Sequence, residues 1–153
     1  MKKSLLIEPV YQEVISRLEH LQFSNKKLWG TMTVTEMLCH CKQPLRNALG
    51  ITKTVSEANP IKSLVFKISC LHILKNFPHN APTGAAYKII SGTVSETEFE
   101  KEKAELKSLI SQFYHYPVKE FYQMHPLFGK MDNEEWGKIS FMHLDHHFRQ
   151  FSN

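Results

Sequence analysis

The sequence is short of several things, and each shortage removes a class of function. It has no long apolar run, so nothing in it reads as a membrane span. Near the N-terminus the apolar stretch is only Leu5-Leu6-Ile7 before Glu8 and Pro9, far too short for a secretory signal, and the expected location is cytoplasmic. Cysteine is scarce: Cys39, Cys41 and Cys70 are odd in number and form no C-x-x-C, which points to reduced, partly buried thiols in a reducing compartment. A concentrated charge is also missing. The formal net charge of +4 comes from lysines scattered singly or in pairs, with no basic stripe interleaved with aromatics, so a nucleic-acid groove is not supported. Internal repeats, low-complexity tracts and Gly/Ser linkers are absent as well. At 153 residues, with 42% hydrophobic and 22% charged residues, the chain reads as a single domain over 1–153 with an adequate core.

What is present is a recurring helix-start signature. A cap residue, an acid three positions on, and apolar residues flanking the pair make a capping box with a hydrophobic staple. Thr33 and Glu36 between Met32 and Met37 fit it, as do Ser95 and Glu98 between Val94 and Phe99. Asp132 and Glu135 between Met131 and Trp136 fit it a third time. Helical apolar spacing follows each start. The second helix carries Met37, Cys41, Leu45 and Ala48 and ends near Gly50. The third carries Phe99, Leu106, Leu109, Ile110 and Phe113 and ends before Pro117; the last runs from about Glu134 to the C-terminus. Val14, Leu18 and Leu21 after Pro9 predict a first helix, with Pro9 suited to its first position. Ile61, Leu64, Val65, Ile68 and Leu71 predict a shorter one between the second and third. Phe77 to Gly92 reads as an ordered loop, and strand signals are weak, with Tyr87 to Ile90 the best extended candidate. Four long helices and a short one predict an all-α bundle.

Nine histidines are many, and most need no function. Projected at about 100° per residue, the last helix places Trp136, Ser140, His143, His147 and Gln150 on one inward face. His146 falls at its edge, while Asp145 and Arg149 fall opposite, as a solvent ion pair. Imidazoles four residues apart on an inward face can chelate one ion; packed core histidines are the plainer explanation, and spacing alone leaves both open. The zinc-protease motif does not apply, since Leu144, Asp145 and His146 intervene with no Glu beside the first His. The best third ligand is His40, mid-helix beside the Met37–Cys41–Leu45 stripe, with Pro44 four residues on to remove its carbonyl's usual partner. Cys39 and Cys41 project to other faces, and Glu36 is already explained by its cap. His20, His72, His79 and His115 read as surface or helix-end residues, and His125, before Pro126, as a packing residue in an aromatic loop.

With those residues in hand, the sequence resembles the DinB-like superfamily of four-helix-bundle metalloproteins, in a branch labelled as a domain of unknown function. Three stretches carry the likeness: WGTMTVTEMLCHCKQPLRNALG from Trp29, NFPHNAPTG from Asn76, and HPLFGKMDNEEWGKISFMHLDHHFRQF from His125. The resemblance implies an up-down-down-up four-helix bundle, with the short extra helix and a long loop between the second and third long helices. It further implies one divalent metal ion, usually nickel or zinc, held by His40, His143 and His147, and frequent homodimers.

Three neutral imidazoles would leave a coordination position open, the pattern of a catalytic site. Such an ion can acidify bound water toward about pKa 7, or bind a thiol as thiolate. Some DinB-like relatives are transferases or isomerases that use low-molecular-weight thiols, and others are presumed hydrolases. The leading expectation is a metal-dependent enzyme acting on a small molecule, with thiol S-transfer ahead of hydrolysis because no spare carboxylate can be named as a base. A non-catalytic metal-binding or stress-related bundle is the competing class, and fold-level analogy does not choose between them.

Overall fold

The structure, a computed structural model, describes residues 3–55, 59–79, 87, 95–116 and 124–153. Among these the fold is mostly helical: α1 (Glu8–His20), α2 (Val34–Ala48), α3 (Pro60–Ile68), α4 (Glu96–His115) and α5 (Asn133–Gln150), with the strands β1 (Met124–His125) and β2 (Gly129–Lys130) before α5. No helix is long and apolar enough to cross a membrane, among the described residues.

Each long helix after the first starts where its cap dictates. Thr33, Ser95 and Asp132 each accept from the backbone N–H three residues on, and Glu36, Glu98 and Glu135 each reach back to the cap's own N–H. Of the expected staple partners, Val94 lies outside the described residues. α1 begins one residue earlier than predicted, with Pro9 in its first turn, where a missing N–H removes no helical bond. α2 runs through Pro44 and ends at Ala48, with Gly50 in the left-handed region (φ 71°) just beyond. Tyr87 is buried, but Lys88 to Ile90, the rest of the expected extended stretch, and most of the Phe77–Gly92 loop lie outside the described residues.

α2 packs most extensively on α4 and also on α5, while α1 packs on α4 and α5. Between them sit Leu18, Leu21, Met37, Leu38, Leu45, Phe99, Phe113, Trp136 and Phe148, all essentially without solvent exposure. Burying each such side chain is worth about 1.5–3 kcal/mol. The α2–α4 contact also holds a buried cation. Lys42 pairs with Glu102 and with Glu105 at 2.5 Å, Arg46 meets Glu105 at 2.6 Å, and Cys39 donates to Glu102 at 3.0 Å. Burial works against the Lys42 charge, but the two carboxylates outweigh it and hold the lysine above its usual pKa.

α3 departs from its sequence pattern. The periodicity located the helix correctly, yet Ile61 (73% exposed), Leu64, Val65 and Ile68 face outward, and Ser63 is its buried residue. A π-helical turn, Ser69–Ile73, continues α3 and buries Cys70 and Leu71. The β1–β2 hairpin, pairing Met124 with Lys130 and His125 with Gly129, was not anticipated, since two-residue strands leave no alternation to read. Asp145 also differs from expectation: besides Arg149 at 2.9 Å it binds Arg17 of α1 at 2.8 Å, so the pair is part of an α1–α5 link and not a solvent pair.

Gly137 lies inside α5, where glycine costs about 1 kcal/mol relative to alanine. The reason is the N-terminal segment: Leu5 donates to the Gly137 carbonyl at 2.9 Å, and a Cβ there would collide with Ser4 Oγ and lie 3.0 Å from Leu6. Gly137→Ala is therefore expected to lower stability by about 1–3 kcal/mol despite its better helix propensity. Urea unfolding measures this, and a stabilised variant would show that the segment can move aside.

Candidate metal centre

α2 and α5 meet where His40, His143 and His147 project, and the structure brings all three together. One nitrogen from each lies within 4.8 Å of the others. His40 and His143 approach through their Nε2 atoms at 2.9 Å, and the three ring centroids are 4.7–4.8 Å apart. His40 and His147 are buried, and His143 is half-buried. The i, i+4 spacing on α5 stacks two of the rings on one face, and α2 supplies the third across the contact. Cys39 and Cys41 take no part in the cluster, as expected, and burial pushes the Cys39 thiol up to about 12 and Cys41 further. Glu36 stays in its cap.

The hydrogen bonds behind the rings fix their tautomers. His40 Nδ1 lies 3.0 Å from the Tyr87 carbonyl, which can only accept, so Nδ1 carries the proton. Gln150 Nε2 donates to the Trp29 carbonyl at 2.8 Å, which turns Gln150 Oε1 toward His147 Nδ1 at 2.9 Å. His147 therefore also donates from Nδ1. Both residues are left with an Nε2 lone pair directed away from these partners, the arrangement that second-sphere carbonyls impose on metal-binding histidines. The charge state agrees. Burial holds His147 near a pKa of about 3 and His143 well below its usual value, each reinforced by neighbouring histidines; burial also lowers His40 against the pull of the Tyr87 carbonyl. Neutral imidazole is the form that binds a cation. The close His40–His143 nitrogens can be bridged by one proton or by one cation, so the donor set fits a divalent ion.

Neither Tyr87 nor Gln150 was assigned a role at the site from the sequence. Tyr87 is 47 positions from His40, and its ring is anchored by Tyr87 Oη donating to buried Asn47 at 2.7 Å. No local pattern links residues so far apart. Gln150 was visible on the inward face, three residues after His147, and that spacing was the available signal.

A cavity of about 290 Å³ opens beside the cluster, with Trp29, Phe77, Phe128 and His125 among its walls. His146, expected at the edge of the face, is buried there, edge-on to His147 with centroids 5.0 Å apart. His125 both packs and caps: its Nδ1 accepts from the N–H groups of Leu127 and Phe128, which shapes the β1–β2 turn. Among the other histidines, His79 is exposed but stacks on Trp29 at 4.0 Å, and His20 and His115 close the last turns of α1 and α4. No Asp, Glu, Lys or Arg lines the cavity among the described residues.

A family model described as "Protein of unknown function (DUF1569)" matches residues 2–153. The chain belongs to the DUF1569 family. No curated protein and no solved structure gives a significant match. In this DUF1569 chain the three-histidine group is thus read from its own geometry: three neutral donors, two of them with locked tautomers, next to a cavity without a carboxylate among its described walls.

Two expectations follow. Gly30 sits at φ 76°, and a Cβ there would lie 2.5 Å from Gln150 Nε2. Gly30→Ala should displace the amide, free His147 and weaken divalent-ion affinity by about 10–100-fold, read by isothermal titration. His125, held by burial near a pKa of about 3 against a usual 6.5, stays neutral in the fold while the unfolded chain takes up its proton. Its contribution to stability is full above pH 6.5 and is lost as pH falls toward about 3. His125→Asn, with an oxygen to replace Nδ1 and no titration, should shrink the stability loss between about pH 7 and about pH 5 by about 1–2 kcal/mol in urea melts.

Proposed function

We propose that this chain is a divalent-metal-dependent enzyme of the DinB-like type, a single-domain four-helix bundle whose ion is held by His40, His143 and His147. The observation that carries this reading is the locked pair of Nε2 lone pairs, from His40 and His147, converging with His143 beside a cavity. The packing of α1 and α2 on α4 and α5, with α3 outside that contact set, supports the bundle.

A divalent ion held by His40, His143 and His147 would supply Lewis acidity to a bound protic group. The chain's residues do the rest. Tyr87 and Gln150 hold two rings in orientation, and Phe77 stands edge-on to His143 at 6.5 Å, so the cluster's flank is apolar. A hydrolase commonly uses a carboxylate beside its metal as the base for water. No carboxylate lines the cavity among the described residues: Glu36 is a cap, Glu102 is committed to Lys42, and Asp145 to Arg17. The lack of such a carboxylate among the described residues tips the reading toward thiol S-transfer, in which the thiol would lose its proton to solvent. In that reaction the thiol sulfur bonds to an electrophilic carbon, the leaving group departs with its electron pair, and the thiol proton passes to solvent.

Elemental analysis of untagged protein tests the metal. Wild type should carry about one equivalent of a divalent first-row ion, and His40→Ala and His147→Ala should lose it. Absence of stoichiometric metal under every loading condition would sink the reading. Low-molecular-weight thiols with monochlorobimane test the reaction: turnover should need both the ion and His147. Metal without turnover on any thiol would overturn the transferase and leave the hydrolase and the non-catalytic metal protein.

A further inference from the structure

The cavity beside the histidines has a chemical character that the metal reading does not explain. Its floor is a stack of near-parallel rings: Phe66 on Phe128 at 5.2 Å and 17°, and Phe77 on Phe128 at 6.4 Å and 15°. Charged side chains are missing from its described lining, so nothing there offsets the desolvation of an ionic ligand. Three buried polar atoms on its walls, Ser140 Oγ, Trp29 Nε1 and His146 Nδ1, have no hydrogen-bond partner among the described residues. Ser140 is 2% exposed and sits on α5 one turn before His143. Leaving such a group unpaired costs about 1–3 kcal/mol, and in a folded protein it marks a missing partner. Trp29 can only donate, while Ser140 and His146 can do either, so what all three lack in common is an acceptor. Size narrows the occupant further. A dry apolar cavity of about 150 Å³ takes benzene, so about 290 Å³ suits a substituted single ring or two fused rings.

We propose that this cavity binds an uncharged, planar aromatic molecule bearing a hydrogen-bond acceptor such as a carbonyl, with its ring on the Phe66–Phe128–Phe77 stack and its acceptor at Ser140 and Trp29. Its role as the acceptor substrate of the transfer rests on the metal-enzyme reading; its binding does not. Ser140 is then the residue that selects for the acceptor group, and the ring stack selects for flatness.

The test uses the full chain stripped of metal with a chelator, and three probes of similar shape: acetophenone, toluene and benzoate. Two tryptophans give two indole N–H signals in a ¹⁵N spectrum, and Trp29→Phe identifies the one that matters. Acetophenone should bind and shift the Trp29 signal. Toluene should bind more weakly, and benzoate at least about tenfold more weakly than acetophenone. Ser140→Ala, checked for an unchanged melting temperature, should weaken acetophenone about fivefold and leave toluene unchanged. The proposal is overturned if acetophenone leaves the Trp29 signal unmoved at its solubility limit, if benzoate binds as well as acetophenone, or if Ser140→Ala affects both neutral probes alike. Metal uptake measured on the same preparation separates the two readings. Aromatic binding without metal uptake defeats only the metal enzyme, and metal uptake without aromatic binding defeats only this cavity assignment.

Discussion

Three imidazoles buried against one another at the α2–α5 contact set the terms for much of the structure around them. Their burial disfavours charge, since an ionised ring would lose its hydration beside two like neighbours. A neutral ring still has one donor and one acceptor nitrogen to satisfy. The donor side is met by the Tyr87 carbonyl for His40 and, for His147, by Gln150 at the end of α5, itself pinned to the Trp29 carbonyl. Trp29, in the loop before α2, and Tyr87 are therefore tied to the histidines.

That requirement spreads outward through ordinary packing. Tyr87 is held by Asn47 near the end of α2, and Asn47 in turn donates to the Thr52 carbonyl beyond that helix. Gly30 lacks a side chain because Gln150 occupies the space one would need. On the far side of α2 the interface with α4 is fastened by Lys42 between two carboxylates, an arrangement that resists loss of either partner more than it adds net stability. The link of Arg17 to Asp145 and to the Asn153 carbonyl ties α1 to α5 and the chain's end. With their backs held in this way, the histidines present their open side to an aromatic cavity of low polarity. An ion proposed for this place would sit beside walls where electrostatic interactions are weakly screened.

The helix starts were legible because a capping box is a local device: cap, acid and backbone lie within four residues, and all three boxes form as read. The inward pairing of His143 and His147 was legible for the same reason, through the helical repeat. α3 shows where the repeat misleads. Its apolar stripe marked a helix, but Ile61, Leu64, Val65 and Ile68 point away from the rest of the described chain. Periodicity reports that one face differs from another; which face is covered depends on the neighbours.

From the sequence alone, then, came the helix-rich architecture, the position of each helix start, and the two-histidine face of α5, all properties of residues a few positions apart. His40 stood beside a core stripe with nothing local to join it to residues 103 positions away. The tertiary structure decided that meeting, the Tyr87 and Gln150 contacts that fix which nitrogens are free, and the absence of charge from the cavity's described walls. The physical reason is range. Backbone caps and helical faces are set by neighbours in the chain, whereas a site's tautomers, burial and polarity are set by whatever the fold places across from it.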